Sequence, residues 1–143
     1  MYAKINRGLS SLSSLGLLVL RVGIGGIYFL LHGLHKMEAG RPLWDKLGSS
    51  VTLVGIHFAP VFWGFLASAS ECVGGLLLVL GLFTRPAAFF LFCTMTVAWL
   101  HLHGTPGRAL ETTTEPLEMA FVFLGLIFVG PGKYSVDAKL GAE

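Results

Sequence analysis

Charge is what this chain has least of. Only 13% of its 143 residues are charged and 54% are hydrophobic, against roughly 25% charged in an ordinary soluble domain. Ten Lys and Arg stand against eight Asp and Glu, for a net charge of +2. No dense cationic patch forms, and without one phosphates are not neutralised, so a nucleic-acid partner is excluded. Cysteine is scarce as well. Cys72 and Cys93 form neither a C-x-x-C pair nor a spaced framework, which excludes a redox dithiol and a disulfide scaffold. Both fall in apolar stretches and read as small membrane-embedded thiols. The chain shows no internal repeat of the kind that builds inverted-repeat transporters.

What the chain does have is long apolar runs. Leu15 to His35, Val61 to Phe83, Pro86 to His103, and Pro116 to Val129 with its polar shoulders reach or approach the length that crosses a bilayer. This predicts an all-α integral membrane four-helix bundle, one domain over residues 1–143, with helices near 14–36, 60–83, 86–103 and 114–131. The N-terminal Lys4 and Arg7 precede an apolar segment, as in a secretory signal. That segment is too long, contains Arg21 and lacks an A-x-A site, so it reads as an uncleaved first helix.

With four crossings, Lys4, Arg7, Arg85, Lys133 and Lys139 share one side, and Lys36, Arg41, Lys46 and Arg108 lie on the other among acids. The bias favours both termini in the cytoplasm, and Trp44, Trp63 and Trp99 then fall near the outer interface, where indoles settle. Between the first two crossings, Leu43, Trp44, Leu47, Val51 and Val54 recur at helical spacing after Pro42, which predicts a short amphipathic helix capping the bundle mouth. Thr84-Arg85-Pro86 is a tight turn that makes the second and third helices antiparallel neighbours. The segment HGTPGRALETTTEP reads as an exposed loop.

Each helix should turn small and polar residues toward its neighbours, because close backbone approach drives packing in lipid. Arg21, Gly25, Tyr28, His32 and His35 follow at steps of four and three on the first helix. Gly64, Ser68, Glu71, Gly75 and Leu78 form the equivalent stripe on the second. Ala87, Leu91, Thr94, Ala98 and His101 mark the third, and Glu111, Glu115, Glu118, Val122 and Gly125 the fourth. Counted inward from the cytoplasmic ends, Arg21 lies roughly 10 Å deep, Glu71 and Glu118 roughly 16 to 18 Å, His101 about 22 Å and His32 about 27 Å.

A lone carboxylate at the depth of Glu71 costs on the order of 2.5 to 3.5 kcal/mol on insertion scales, so it requires a partner or a proton. Arg21 can snorkel toward it, with Glu118 as a second acid. Two carboxyls sharing one guanidinium do not both ionise cheaply, so one of them is expected to hold a proton. Two readings of the pair stand: a buried ion pair that fixes helix register, or part of a functional polar pocket. Three readings of the histidines stand beside them. His32 and His101 suit axial haem ligation, the H-x-x-H and H-x-H pairs with Glu suit a divalent metal, and inward hydrogen-bonding imidazoles suit a structural role or a head-group pocket.

The segment RVGIGGIYFLLHGLHK (Arg21 to Lys36), the segment ECVGGLLLVLGLFTRPAA (Glu71 to Ala88) and GPGKYSVD (Gly130 to Asp137) together resemble the DoxX family of small four-helix membrane proteins. The resemblance implies a four-helix bundle in the bacterial cytoplasmic membrane. It implies membership in membrane complexes, some linked to quinone-reducing thiosulfate oxidation or sulfur handling, others to assembly or trafficking of membrane proteins. The family's recurrent polar positions carry over onto Arg21, His32, Gly33, Lys36, Glu71, Gly74, Gly75, Thr84 and Arg85. With no flavin motif and no soluble redox domain in the chain, electrons would come from a membrane or peripheral redox protein partner.

The leading expectation is therefore a membrane subunit of a redox-linked complex that binds a quinone head group. Arg21, Glu71 and His32 would orient carbonyl oxygens, Tyr28 and His101 would donate hydrogen bonds, and Glu118 would relay a proton, since quinone reduction consumes protons as well as electrons. Any enzymatic role is at most that of a quinone-linked oxidoreductase subunit. The alternative is a non-enzymatic structural or assembly subunit of a larger membrane complex; a narrow transporter is disfavoured because four short helices leave little lumen. The sequence leaves homo-oligomerisation open.

Overall fold

In the computed structural model, residues 2–109 and 113–141 are described, with side chains from Leu12 onward; Glu111 lies outside the described residues. The described chain is helical. α1 (Tyr2–Ile27) runs through a π-helical stretch, Tyr28–Gly33, into α2 (Leu34–Ala39). α3 (Arg41–Gly48) and a 3-10 segment, Ser49–Val54, form the short amphipathic piece that precedes the long helices α4 (Pro60–Leu80) and α5 (Thr84–His103). α6 (Thr114–Val129) and the five-residue α7 (Val136–Leu140) complete the chain.

Among the described residues, three helices are long and apolar enough to cross a membrane: Leu12–Ala39, Pro60–Leu80 and Thr84–His103. α6 has 16 residues, so it spans only about 24 Å, short of the roughly 30 Å hydrocarbon core. It lies antiparallel to α5, because Gly130 at its end meets the Arg85 guanidinium at the start of α5. The protein is a helical membrane protein. Outward-facing side chains such as Leu31, Val73, Phe121 and Phe128 are more than half exposed, as lipid-facing residues are when the bilayer is removed.

The core is small and lies where α1, α4, α5 and α6 meet. Leu78, Leu91 and Phe123 are fully buried. Tyr28 packs edge-on against Phe123 at 5.1 Å and donates its hydroxyl hydrogen to Met95 Sδ at 3.1 Å, which ties α1 to α5 and α6. The inward face of α6 is Ala120, Phe123 and Leu126. This corrects the expected stripe: Glu115, Glu118 and Gly125 are exposed. Because α6 starts only at Thr114, Glu118 is about 6 Å from its first residue, where water and the positive helix end accept a carboxylate without burial.

One end of the bundle is closed by two charged side chains that bond backbone groups, while Arg21 Nε and Thr84 Oγ1 have no hydrogen-bond partner among the described residues. Arg21 is completely buried and donates from Nη1 to Leu78 O at 3.0 Å and from Nη2 to Tyr134 O at 2.7 Å. Asp137 accepts from the backbone N–H of Phe83 at 2.8 Å and of Thr84 at 2.9 Å, and so caps α5 from across the chain. The Asp137 N–H in turn donates to Gly81 O at 2.9 Å. The segment Gly130 to Asp137 is thereby the clasp that holds the α4–α5 turn against α1.

Candidate functional site

The register of the first crossing decides which of its residues reach α4. Up to Tyr28 the expected stripe holds, with Arg21, Gly25 and Tyr28 all buried. The π-helical stretch then inserts one residue: the Leu34 N–H donates to Phe29 O, five positions back. A π-turn at this point rotates everything that follows. The buried residue after Tyr28 is therefore Gly33, not His32, and the next inward residue is Lys36, not His35. Gly33 is needed for contact, since a Cβ there would collide with the Cys72 backbone.

That approach sets Lys36 beside Glu71. Lys36 Nζ lies 2.6 Å from Glu71 Oε1 and 2.6 Å from Oε2. The Arg21–Glu71 pair expected from the sequence is not formed; Arg21 spends its donors on carbonyls at the closed end. The shared-proton arrangement with Glu118 falls with it, because no guanidinium bridges the two acids and Glu118 faces outward. Only 1% of Glu71 is exposed. The ammonium satisfies Oε1 in good geometry, while Oε2 receives no hydrogen bond among the described residues.

Glu71 faces a cavity of about 330 Å³ between α4 and α5, at the end opposite the clasp, under the amphipathic segment. Its polar lining comes from Lys36, Ser50, Trp63, Ser70, Glu71, Thr94 and His101. Ser70 and Thr94 share a hydrogen bond of 2.7 Å across the helix pair. Trp63 Nε1 is buried with no partner, a second orphaned polar atom in the same wall. The roof is pinned by the Trp44 indole, which donates to Lys36 O at 3.0 Å. It lies close because Gly64 lets the α3 backbone touch α4: a Cβ at Gly64 would overlap Trp44 O.

Of the six residues expected to form the site, the structure brings Glu71 and His101 to this cavity. Arg21 belongs to the clasp, Tyr28 to the core, and Glu118 to the exposed face of α6. His32 is exposed beside the Tyr28 ring, 5.3 Å between centroids. Among the described residues no three His, Cys, Asp or Glu side chains converge as metal ligands would. Lys36, Trp63, Ser70 and Thr94 were missed as site residues. Lys36 had a signal, since it lies among the polar positions of the family resemblance, but ideal helical spacing points His32 and His35 inward in its place.

A family profile described as DoxX matches residues 16–104. An uncharacterized protein of Haemophilus influenzae is 38% identical over 79 residues, 52% of this chain and 59% of its own length. An uncharacterized membrane protein of Mycobacterium tuberculosis is 32% identical over 129 residues, 80% of this chain and 76% of its own length. This chain thus spans less than two thirds of the first relative and about three quarters of the second. No solved structure matches significantly. The profile covers the crossings that carry Arg21, Lys36 and Glu71 and the turn at Thr84, so the chain belongs to the DoxX family.

Proposed function

We propose that the Glu71 cavity binds the head of a small amphipathic molecule drawn from the membrane, with a quinone as the leading chemistry, and that the protein serves a redox-linked membrane complex. The observation that carries this reading is the buried Lys36–Glu71 ion pair lining a cavity of about 330 Å³, a volume in the range of ligand pockets. Quinone carbonyls are acceptors, and two donors stand in a largely apolar wall, the Lys36 ammonium and the Trp63 indole N–H; the Ser70 and Thr94 hydroxyl hydrogens are taken up by Ala67 O, Phe90 O and each other. Glu71 would accept from a quinol hydroxyl, and His101, exposed at the rim, would link the head to water for proton uptake. Electrons would come from a partner protein. In the orientation favoured by the loop charges, both termini are cytoplasmic in a bacterial inner membrane and the cavity opens near the outer interface; this takes the 16-residue α6 as a fourth crossing through a locally thinned bilayer.

Mild purification followed by lipid extraction tests this. Wild-type protein should carry quinone, and Glu71→Gln should lose most of it while remaining folded. Equal quinone content in the two proteins would remove the reading.

A second reading, a non-enzymatic structural or assembly subunit, is favoured by the Lys36–Glu71 ion pair itself, which can act as a register fastener between α2 and α4. It predicts that Glu71→Gln keeps a stoichiometric membrane partner and that no quinone accompanies either protein.

A further inference from the structure

The Glu71 cavity makes no use of the other end of the bundle, nor of the Thr84-Arg85-Pro86 turn. Arg85 stands in the first turn of α5 and is exposed. Its guanidinium lies over Gly130, where an added Cβ would come within 3.2 Å of Nη2 and 3.4 Å of Nε. Gly130 has φ 81° and no side chain, so the clasp begins with a shelf on which the arginine rests. The shelf supplies no acceptor. Among the described residues Arg85 makes neither an ion pair nor a hydrogen bond through its side chain.

Lys133, three residues beyond that glycine, and Lys139 are also exposed on the clasp. Asp137, the acid of the same segment, is 6% exposed and accepts from the N–H groups of Phe83 and Thr84. No exposed acid among the described residues of this end offsets the three cations. The opposite end differs, because its cations are interleaved with Glu38, Asp45, Glu115 and Glu118, all exposed. Only the clasp end therefore presents an outward positive field. Its depth says what that field meets. Phe89, one turn along α5, is 51% exposed and lies about 6 Å nearer the bilayer centre. Both α4 and α5 are long and apolar enough to span, and they meet at this turn. The Arg85 guanidinium thus stands where acyl chains give way to head-group phosphates.

We propose that Arg85 and Lys133 bind the phosphate of an anionic phospholipid, and that this lipid ties α5 to the clasp. The proposal is independent of what occupies the Glu71 cavity. A guanidinium resting on its shelf offers paired N–H groups to two phosphate oxygens, and Lys133 brings a second cation from the clasp side. A zwitterionic lipid carries the same phosphate beside its own ammonium, so selection is for a net negative head group.

The test uses full-length protein, delipidated in neutral detergent and titrated with short-chain phosphatidylglycerol or phosphatidylcholine, with bound lipid counted by native mass spectrometry. Wild type should hold the first phosphatidylglycerol about tenfold more tightly than phosphatidylcholine. Added salt should weaken that preference. Arg85→Gln and Lys133→Gln should each lower it several-fold and together abolish it. Neither change strands a bonded group, so both variants should fold. Lys46→Gln, an exposed cation of the opposite end, should leave the preference intact. In nanodiscs, phosphatidylglycerol should raise the Tm of wild type and not that of the double variant.

Equal affinity for the two lipids in wild type, or a preference that survives in the double variant, overturns the proposal. Displacement of the bound lipid by excess inorganic phosphate also overturns it, since the same cations would then serve a soluble anion. A Tm gain that the double variant keeps removes the tie between α5 and the clasp.

Discussion

Two polar clusters lie inside this apolar bundle, and they are built differently. At the closed end, Arg21, Asp137 and the backbone of the α4–α5 turn are interlocked: the guanidinium bonds two carbonyls and the carboxylate bonds two N–H groups. At the open end, both Glu71 oxygens lie 2.6 Å from one ammonium, and the pair lines a cavity beside an indole N–H that has no partner among the described residues. Buried polar groups are costly when unmatched. Both clusters keep buried polar atoms without a hydrogen bond, Arg21 Nε and Thr84 Oγ1 at the closed end and Trp63 Nε1 at the open one; what separates them is the cavity, which is lined by Glu71 and Lys36 and not by Arg21.

The comparison breaks most sharply at Arg21. Arg21→Met leaves Leu78 O without its guanidinium donor and Tyr134 O without its 2.7 Å hydrogen bond, so it should cost about 3 kcal/mol or more of stability. Thermal unfolding in detergent would register this as a large fall in Tm, with the remaining folded protein keeping whatever ligand content wild type has. A variant that kept its Tm but lost ligand would reverse the assignment of the two clusters.

The open end should behave differently under paired substitution. Lys36→Met strands a buried carboxylate and should cost about 2 kcal/mol, reduced from the full buried-pair value because 25% of the Lys36 side chain is exposed. Adding Glu71→Gln should restore most of that stability without restoring ligand binding. A double variant as unstable as the sum of its parts would mean that the two residues do not act as a pair.

The smallest effect is expected at the turn. Phe83 has φ 47°, in the left-handed region that costs a residue with a side chain about 1 kcal/mol or more. Asp137 holds it there. Phe83→Gly should raise stability by about 0.5 kcal/mol after the loss of chain stiffness is offset. In an Asp137→Ala background, where the turn is no longer held, that gain should shrink.

The α4 stripe was legible in full. Gly64, Ser68, Glu71, Gly75 and Leu78 are all buried, because α4 is a regular helix and regular spacing maps directly onto one face. The stripe on α5 held for Ala87 and Leu91 and then faded, with His101 exposed at the cavity rim. On α6 it was inverted, because a row of acids was read as inward when Phe123 and Leu126 carry the packing. The α1 stripe failed at one place only, where the helix changes its hydrogen-bond period.

The sequence by itself determined a helical membrane protein with an inward acid on α4. Composition and length set the solvent of the helices, and burial of Glu71 made a partner obligatory. Which cation answers was decided by tertiary structure. Gly33 must pack against Cys72, and the π-helical stretch before it brings it there. That single inserted residue carries Lys36 to Glu71 and turns His32 outward, while Arg21, which precedes it, lies at the level of Leu78 O and Tyr134 O in the clasp. Local spacing could not report this, because the departure from α-helical geometry is visible only in the packing of α1 against α4.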